Sequence, residues 1–346
     1  MSYIEGEIMT TKAQNKAVIA PLRQALYDFN ADALQVAVKK VFNPQALIQL
    51  AHPFETLDGP DGLYAEAFLP LAAAFPDLER RDHIVMSGAC GQGGDWVGCC
   101  GYYTGTFTKP FLDIPATGHQ AALRFHEFYK IQNGQVVEFQ ALWDLPELMM
   151  QAGCWPMLPS LGREWHVPGP ATQDGLVITS RDAEHDTASL KLVGDMLDGL
   201  SCFAEGGVEA MQLDRYWHPA FSWYGPSGIG TARGVSGFRN WHQIPFLKAM
   251  PDRVGSQGAG HFFADGDYVG FTAWPGMSAT ITGDGWIGIA PAGQKITMRS
   301  LDFWRCENGC IRENWVLVDL LHVYHQVGID VFSRMRELVQ VKSLIQ

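Results

Sequence analysis

Residues 299–319 read RSLDFWRCENGCIRENWVLVD, and residues 124–144 read RFHEFYKIQNGQVVEFQALWD. Asn308-Gly309 in the first and Asn133-Gly134 in the second stand 175 residues apart, each between runs of alternating polar and apolar residues. Asn-Gly favours a two-residue hairpin, because a type I′ turn needs positive φ at both central positions. Each stretch is therefore expected to be an antiparallel strand pair ending on an aspartate, Asp144 or Asp319.

The 175-residue register extends outward from these hairpins. Gly118, Arg124, Phe128, Glu138, Asp144, Gln151 and Gly153 meet Gly293, Arg299, Phe303, Glu313, Asp319, Gln326 and Gly328. Earlier in the chain, Phe42-Asn43-Pro44 meets Trp217-His218-Pro219, and Phe75-Pro76-Asp77 meets Met250-Pro251-Asp252. Gly-Asp-Trp-Val-Gly at 94–98 and Gly-Asp-Tyr-Val-Gly at 266–270 match after short indels. Chance does not hold a register over so many identities, so the chain is a tandem duplication. The copies are expected at 1–154 and 174–346, joined by a Pro-rich linker over 155–173.

Each copy reads as helices followed by strands. The helices are expected over 14–41 and 61–75 in the first copy, and over 186–203, 208–216 and 236–250 in the second. Strands are expected over 84–89, 95–107, 121–131 and 135–144, then over 260–263, 268–281, 295–306 and 310–320. Helices segregated before an antiparallel sheet define an α+β fold.

Composition narrows the function. With 37 acidic against 25 basic residues the net charge is −12, and no Lys/Arg cluster offers the footprint of a nucleic-acid binder. An anionic membrane surface would not attract such a chain, and no run reaches the ~18 apolar residues of a membrane span. The stretch 1–7 lacks the basic and apolar regions of a signal peptide. Seven cysteines without framework spacing suit a reducing, cytoplasmic setting. Cys306 and Cys310 are expected to face each other as free thiols; no further ligand at zinc spacing accompanies them, so no metal site is expected.

If the second hairpin closes evenly about Asn308-Gly309, Trp304 opposes Glu313, Asp302 opposes Trp315, and Ser300 opposes Leu317. Period-2 alternation then places Ser300, Asp302, Trp304, Glu313, Trp315 and Asp319 on one face, with Leu301, Phe303, Val316 and Val318 behind. In the first copy Glu127, Tyr129, Glu138, Gln140 and Asp144 share a face, and His126 lies on the reverse, away from Asp144. Carboxylates interleaved with aromatics suit a ligand cavity as well as a solvated face. Asp302 and Asp319 are expected about 13 Å apart, too far to share a proton.

Both copies carry Pro-Ala-(Thr)-Gly, a strand, Asn-Gly, Glu-x5-Asp and then Gln-x-Gly. In this pattern the chain resembles SnoaL-like polyketide cyclases of the nuclear transport factor two-like superfamily. The resemblance implies two tandem cone-shaped α+β barrels, each a curved sheet capped by N-terminal helices, needing no cofactor. It implies further that an aspartate at the strand end, matching Asp144 and Asp319, serves as acid/base in an intramolecular aldol closure.

Within that frame the second copy carries more candidate chemistry. Asp319, Asp302, His242 and His261 are candidate acid/base groups, with Asp144 in the first copy. Trp223, Tyr224, Trp274, Met277, Trp304 and Trp315 are candidate ligand contacts, with Glu127 and Tyr129 in the first copy. A carboxylate in a Trp-lined cavity has its charged form disfavoured, as abstraction of a proton α to a carbonyl requires. The expected function is that of a lyase or isomerase acting on a hydrophobic cyclic or β-keto substrate. A non-catalytic binding module or scaffold, and an epoxide or ester hydrolase, are the alternatives on the same fold. The expected partner is a small hydrophobic or aromatic ligand. The copies themselves would form an intramolecular pseudo-dimer, open to further homo-oligomerisation.

Overall fold

In the computed structural model, which describes residues 11–178, 182–255, 260–284 and 286–345, each copy forms one curved sheet backed by helices. The first sheet holds β1 Phe42–Leu50, β2 Glu55–Leu57, β3 Glu79–Ala89, β4 Asp95–Thr106, β5 Gln120–Gln132 and β6 Gln135–Trp143, in the order β2-β1-β6-β5-β4-β3. The second holds β7 Trp217–Tyr224, β8 Thr231–Arg233, β9 Val254–Gly255, β10 Gly260–Asp265, β11 Tyr268–Thr280, β12 Lys295–Glu307 and β13 Cys310–Val318. Its order is β10-β11-β12-β13-β7-β8, with β9 paired to the far end of β11. The residues at 1–7 lie outside the described part of the chain.

The sheets are mixed, not purely antiparallel: β1 runs parallel to β6, and β7 parallel to β13. These two strands follow directly from helices Ala31–Val41 and Leu213–Tyr216 and lie outside the strands expected from the sequence. Pro44 and Pro219, both near the strand starts, mask them, since proline reads as a strand breaker. Helix Ala31–Val41 begins where the Asn30 side chain accepts the Ala33 N–H, and helix Ala183–Ser201 where Asp182 accepts that of His185. The second helical segment of each copy contains a π-helical stretch at the same place, Leu63–Phe68 and Arg239–Gln243.

Both Asn-Gly turns have the positive φ their sequence demands: 52° and 75° at Asn133 and Gly134, 50° and 77° at Asn308 and Gly309. A bulge follows at once in each hairpin, between Lys130 and Ile131 and between Arg305 and Cys306. Beyond it Trp304 pairs with Asn314, Asp302 with Val316 and Ser300 with Val318. A one-residue slip exchanges the faces of the whole partner strand. The even-closure faces are therefore corrected: Glu313, Trp315 and Asp319 lie with Leu301 and Phe303, opposite Asp302 and Trp304. In the first copy Phe125, Glu127 and Tyr129 share a face with Phe139, Ala141 and Trp143, while His126 and Asp144 sit together on the other. Cys306 pairs with Ile311 and Cys310 with Glu307, so the two thiols are not opposed.

The two sheets pack back to back, and their contacts obey the repeat. Phe128 stacks on Phe303 at 4.8 Å, and the His126 ring nitrogen Nδ1 lies 2.7 Å from the Leu301 carbonyl. Both pairs join residues 175 apart, which marks the axis of an isologous pseudo-dimer within one chain. At Gly88 a β-carbon would lie 2.5 Å from the Ala264 carbonyl, so only glycine permits this approach of the two backbones. No helix among the described residues is long and apolar enough to cross a membrane.

Candidate active site

The aspartates repeated at the two hairpin ends join the copies. Asp144 caps helix Leu145–Gln151, pairs with Arg124 at 3.0 Å, and accepts the backbone N–H of Ser227 from the second copy at 2.9 Å. Asp319 caps Leu320–Gln326, pairs with Arg299 at 3.1 Å, and accepts the N–H of His52 from the first copy at 2.9 Å. Ser227 and His52 are themselves 175 apart, so the bonds are reciprocal across the pseudo-twofold. Each carboxylate thus has its acceptor capacity used by a guanidinium, a helix N-terminus and the other copy.

Several other candidates share this inter-copy face. The Tyr224 hydroxyl donates to Glu313 at 3.1 Å, and the Trp315 indole donates to the Pro168 carbonyl at 2.9 Å. Trp274 lies under the Arg299 guanidinium at 4.5 Å. His261 rests on Trp96 of the first copy, 3.5 Å from the Cys90 sulfur, and burial lowers its pKa. The structure therefore does not bring Asp144, Asp319, His261, Tyr224, Trp274 and Trp315 into either cone.

The inner faces hold the remaining candidates, and the two copies differ there. In the first cone Glu127 is fully buried and saturated. Arg80 Nη1 lies 2.6 Å from it, Tyr103 and Tyr129 donate at 2.7 and 2.6 Å, and Trp143 Nε1 donates at 3.2 Å. Arg80 also contacts Asp82, which Arg23 holds in turn. A buried carboxylate with a buried guanidinium and three neutral donors is a closed structural network.

Asp302 occupies the same place in the second cone, 175 residues on, and is only 7% exposed. The ladder carries the comparison to its neighbours. Arg80 pairs with Tyr103, and the equivalent pair in the second copy is Gly255 with Met277. Tyr129 corresponds to Trp304, and Trp143 to Val318. Three of the four donors that saturate Glu127 are thus replaced by residues with no polar side-chain group. Asp302 keeps one hydrogen bond, donated to Oδ2 by the Ser300 hydroxyl at 2.8 Å, while its Oδ1 is buried without a partner among the described residues. Burial pushes its pKa up to about 7, against the smaller opposing effect of Ser300.

Around Asp302 the inner face is aromatic. Trp304 lies two residues along β12, and the ladder runs from it through Asn314 to Trp223 on β7. Trp223 stacks on His242 at 4.1 Å; His242 meets Phe246 at 5.3 Å, and Phe246 meets Trp286 at 5.6 Å. Phe262 and Phe271 flank Trp304 on the other side. Met277 packs on the same core. Burial alone drives the His242 pKa down to about 3, so its ring is neutral, and its Nδ1 is buried without a partner among the described residues.

The indole nitrogens of Trp217, Trp286 and Trp304 are also buried and unpartnered among the described residues. A buried unsatisfied donor costs ~1–3 kcal/mol, so several together call for an explanation. The corresponding first-copy residues are Phe42, Phe111 and Tyr129; the first two have no polar group, and the hydroxyl of the third binds Glu127. Ala67 stands where His242 does. Trp217 and Trp286 were not among the sequence candidates. The exchanges Phe42 to Trp217 and Phe111 to Trp286, visible when the copies are aligned, are the signal that could have found them. No group of three or more His, Cys, Asp or Glu among the described residues is arranged to hold a metal ion.

The model of the SnoaL-like polyketide cyclase family matches residues 21–152 and again 201–327. No curated protein matches the chain. Among solved structures, IdmH from Streptomyces antibioticus is 20% identical over 40% of this chain and 99% of its own, with a TM-score of 0.34. A SnoaL-like protein from Jannaschia sp. CCS1 is 22% identical over 42% of this chain and 96% of its own, at 0.34. AclR from Streptomyces galilaeus is 20% identical over 42% and 85%, at 0.35.

Proposed function

We propose, from the premise that the chain belongs to the SnoaL-like polyketide cyclase family, that its second cone is a cofactor-independent acid/base site. Asp302 is the proton carrier, and the substrate is a hydrophobic cyclic ketone or β-keto compound. The reaction falls in the lyase or isomerase class. The first cone serves as the structural half of the pseudo-dimer.

One observation carries this reading: Asp302 and Glu127 hold the same position, yet of the two only Asp302 has a buried carboxylate oxygen without a partner among the described residues. A carboxyl with a pKa of about 7 exists in both forms near neutrality. It can therefore accept a proton from carbon and return one at another atom, which is what ring closure or isomerisation through an enolate requires. Indole rings with His242 would position a flat ligand. Asp319, the acid/base that the strand-end pattern suggested, is instead read as a structural group, because its oxygens are engaged by Arg299, His52 and its own helix.

The test needs no knowledge of the natural substrate. In D2O the protein should accelerate deuterium exchange at the methylene of 2-tetralone that lies between ring and carbonyl, followed by proton NMR. Asp302→Asn should remove the acceleration while leaving the fold intact by circular dichroism. Exchange persisting in that variant would refute Asp302 as the base, and a protein that binds 2-tetralone without exchanging it would favour a binding module.

A further inference from the structure

Trp304 stands two residues from Asp302 on the same face of β12, and is 3% exposed. Among the described residues its indole N–H is buried without an acceptor, and Asp302 Oδ1 is buried without a donor. They are thus an unpaired donor and an unpaired acceptor on adjacent inward positions of one strand. In the first copy the corresponding pair has joined: Tyr129 donates to Glu127 at 2.6 Å.

We infer that Trp304 is a further catalytic residue of this site, its indole N–H holding the oxygen that becomes negative as Asp302 takes the proton. The inference rests on the reading of Asp302 as base and narrows the substrate to an enolisable ketone with its carbonyl oxygen toward Trp304. Asp302 removes the proton from the carbon next to the carbonyl. The C–H electron pair becomes the new C=C bond as the C=O π pair moves onto oxygen, and the reverse flow returns a proton from the Asp302 carboxyl.

The dimensions agree. Inward positions i and i+2 on a strand are about 6.6 Å apart. A carbonyl and its neighbouring carbon, joined by bonds of about 1.2 and 1.5 Å, with a contact of about 3 Å at each end, span roughly 7–9 Å, which side chains from two such positions can bridge. Neither Trp217 nor Trp286 shares a strand with Asp302. A preorganised donor in a water-poor site stabilises developing charge without reorganisation, which gives the indole a direct effect on rate.

The experiment follows 2-tetralone exchange in wild type, Trp304→Phe, Trp304→Tyr and Asp302→Asn. Trp304→Phe removes the donor and should lower the maximal exchange rate by roughly 100-fold or more, with a small change in KM and an unchanged pH inflection. Trp304→Tyr restores a donor, as the first copy has, and should recover part of the rate. Equal losses in folded Phe and Tyr variants, or wild-type exchange in Trp304→Phe, would overturn the inference. If Asp302→Asn alone keeps full activity, it is the base assignment that fails; if it is inactive while Trp304→Phe is normal, only the donor assignment does. Should Trp304→Phe not fold, 15N-indole NMR on the wild type decides: one buried N–H resonance must move downfield on adding 2-naphthol, and no movement overturns the proposal.

Discussion

Glu127 and Asp302 stand at the same point of the same strand in two copies of one fold, the first locked by Arg80, Tyr103, Tyr129 and Trp143 and the second held, among the described residues, by Ser300 alone. The difference is made by the neighbours more than by the carboxylates. Gly255, Met277 and Val318 supply no side-chain donor where Arg80, Tyr103 and Trp143 do, and the Trp304 N–H has no partner among the described residues.

Stability should fall with pH because of Asp302. Its folded pKa of about 7 lies above the ordinary 3.8, so between these values the unfolded chain has lost a proton that the native state keeps. That removes about 1.4 kcal/mol per pH unit from pH 4 to 7, after which the contribution is level. Asp302→Asn should flatten this slope and exceed wild type by a few kcal/mol at pH 8. Urea midpoints at pH 4 and 8 measure it, and parallel curves for the two proteins would contradict the prediction.

Glu127→Gln is expected to behave in the opposite way. It leaves a buried guanidinium short of a charge and should cost about 3–5 kcal/mol. Tetralone exchange per folded molecule should remain at the wild-type level, since the second cone is untouched. A selective loss of exchange with unchanged urea midpoint would assign chemistry to the first cone.

Asp319→Asn and Asp144→Asn remove one partner of a buried ion pair and weaken a bond to the other copy. Each should lower stability by about 3–5 kcal/mol. Exchange measured below the unfolding transition should persist in both. Full stability with abolished exchange in Asp319→Asn would restore that residue as the acid/base.

Gly88→Ala tests the back-to-back packing. The new methyl would meet the Ala264 carbonyl at 2.5 Å, a backbone atom that cannot swing aside. Overpacking of this kind costs about 1–3 kcal/mol. Calorimetry should show a lowered Tm, and an unchanged one would mean that the sheets can separate at no cost.

The sequence by itself determined the duplication, the two Asn-Gly hairpins and the α+β class, because these are written in local chemistry: a register of identities, turn residues needing positive φ, and alternation along strands. It also brought Asp302, Trp304, Trp223 and His242 into consideration. What it could not determine was which face each residue takes. A single bulge beside each turn moves β6 and β13 by one residue, and with a side-chain period of two that carries Asp144 and Asp319 out to the seam between the copies. The parallel strands β1 and β7, whose partners arrive about 90 residues later, have no local signature either. Only the assembled sheets decide that one buried carboxylate meets an arginine and three further donors while its counterpart meets one serine, since those partners converge from strands distant in the chain.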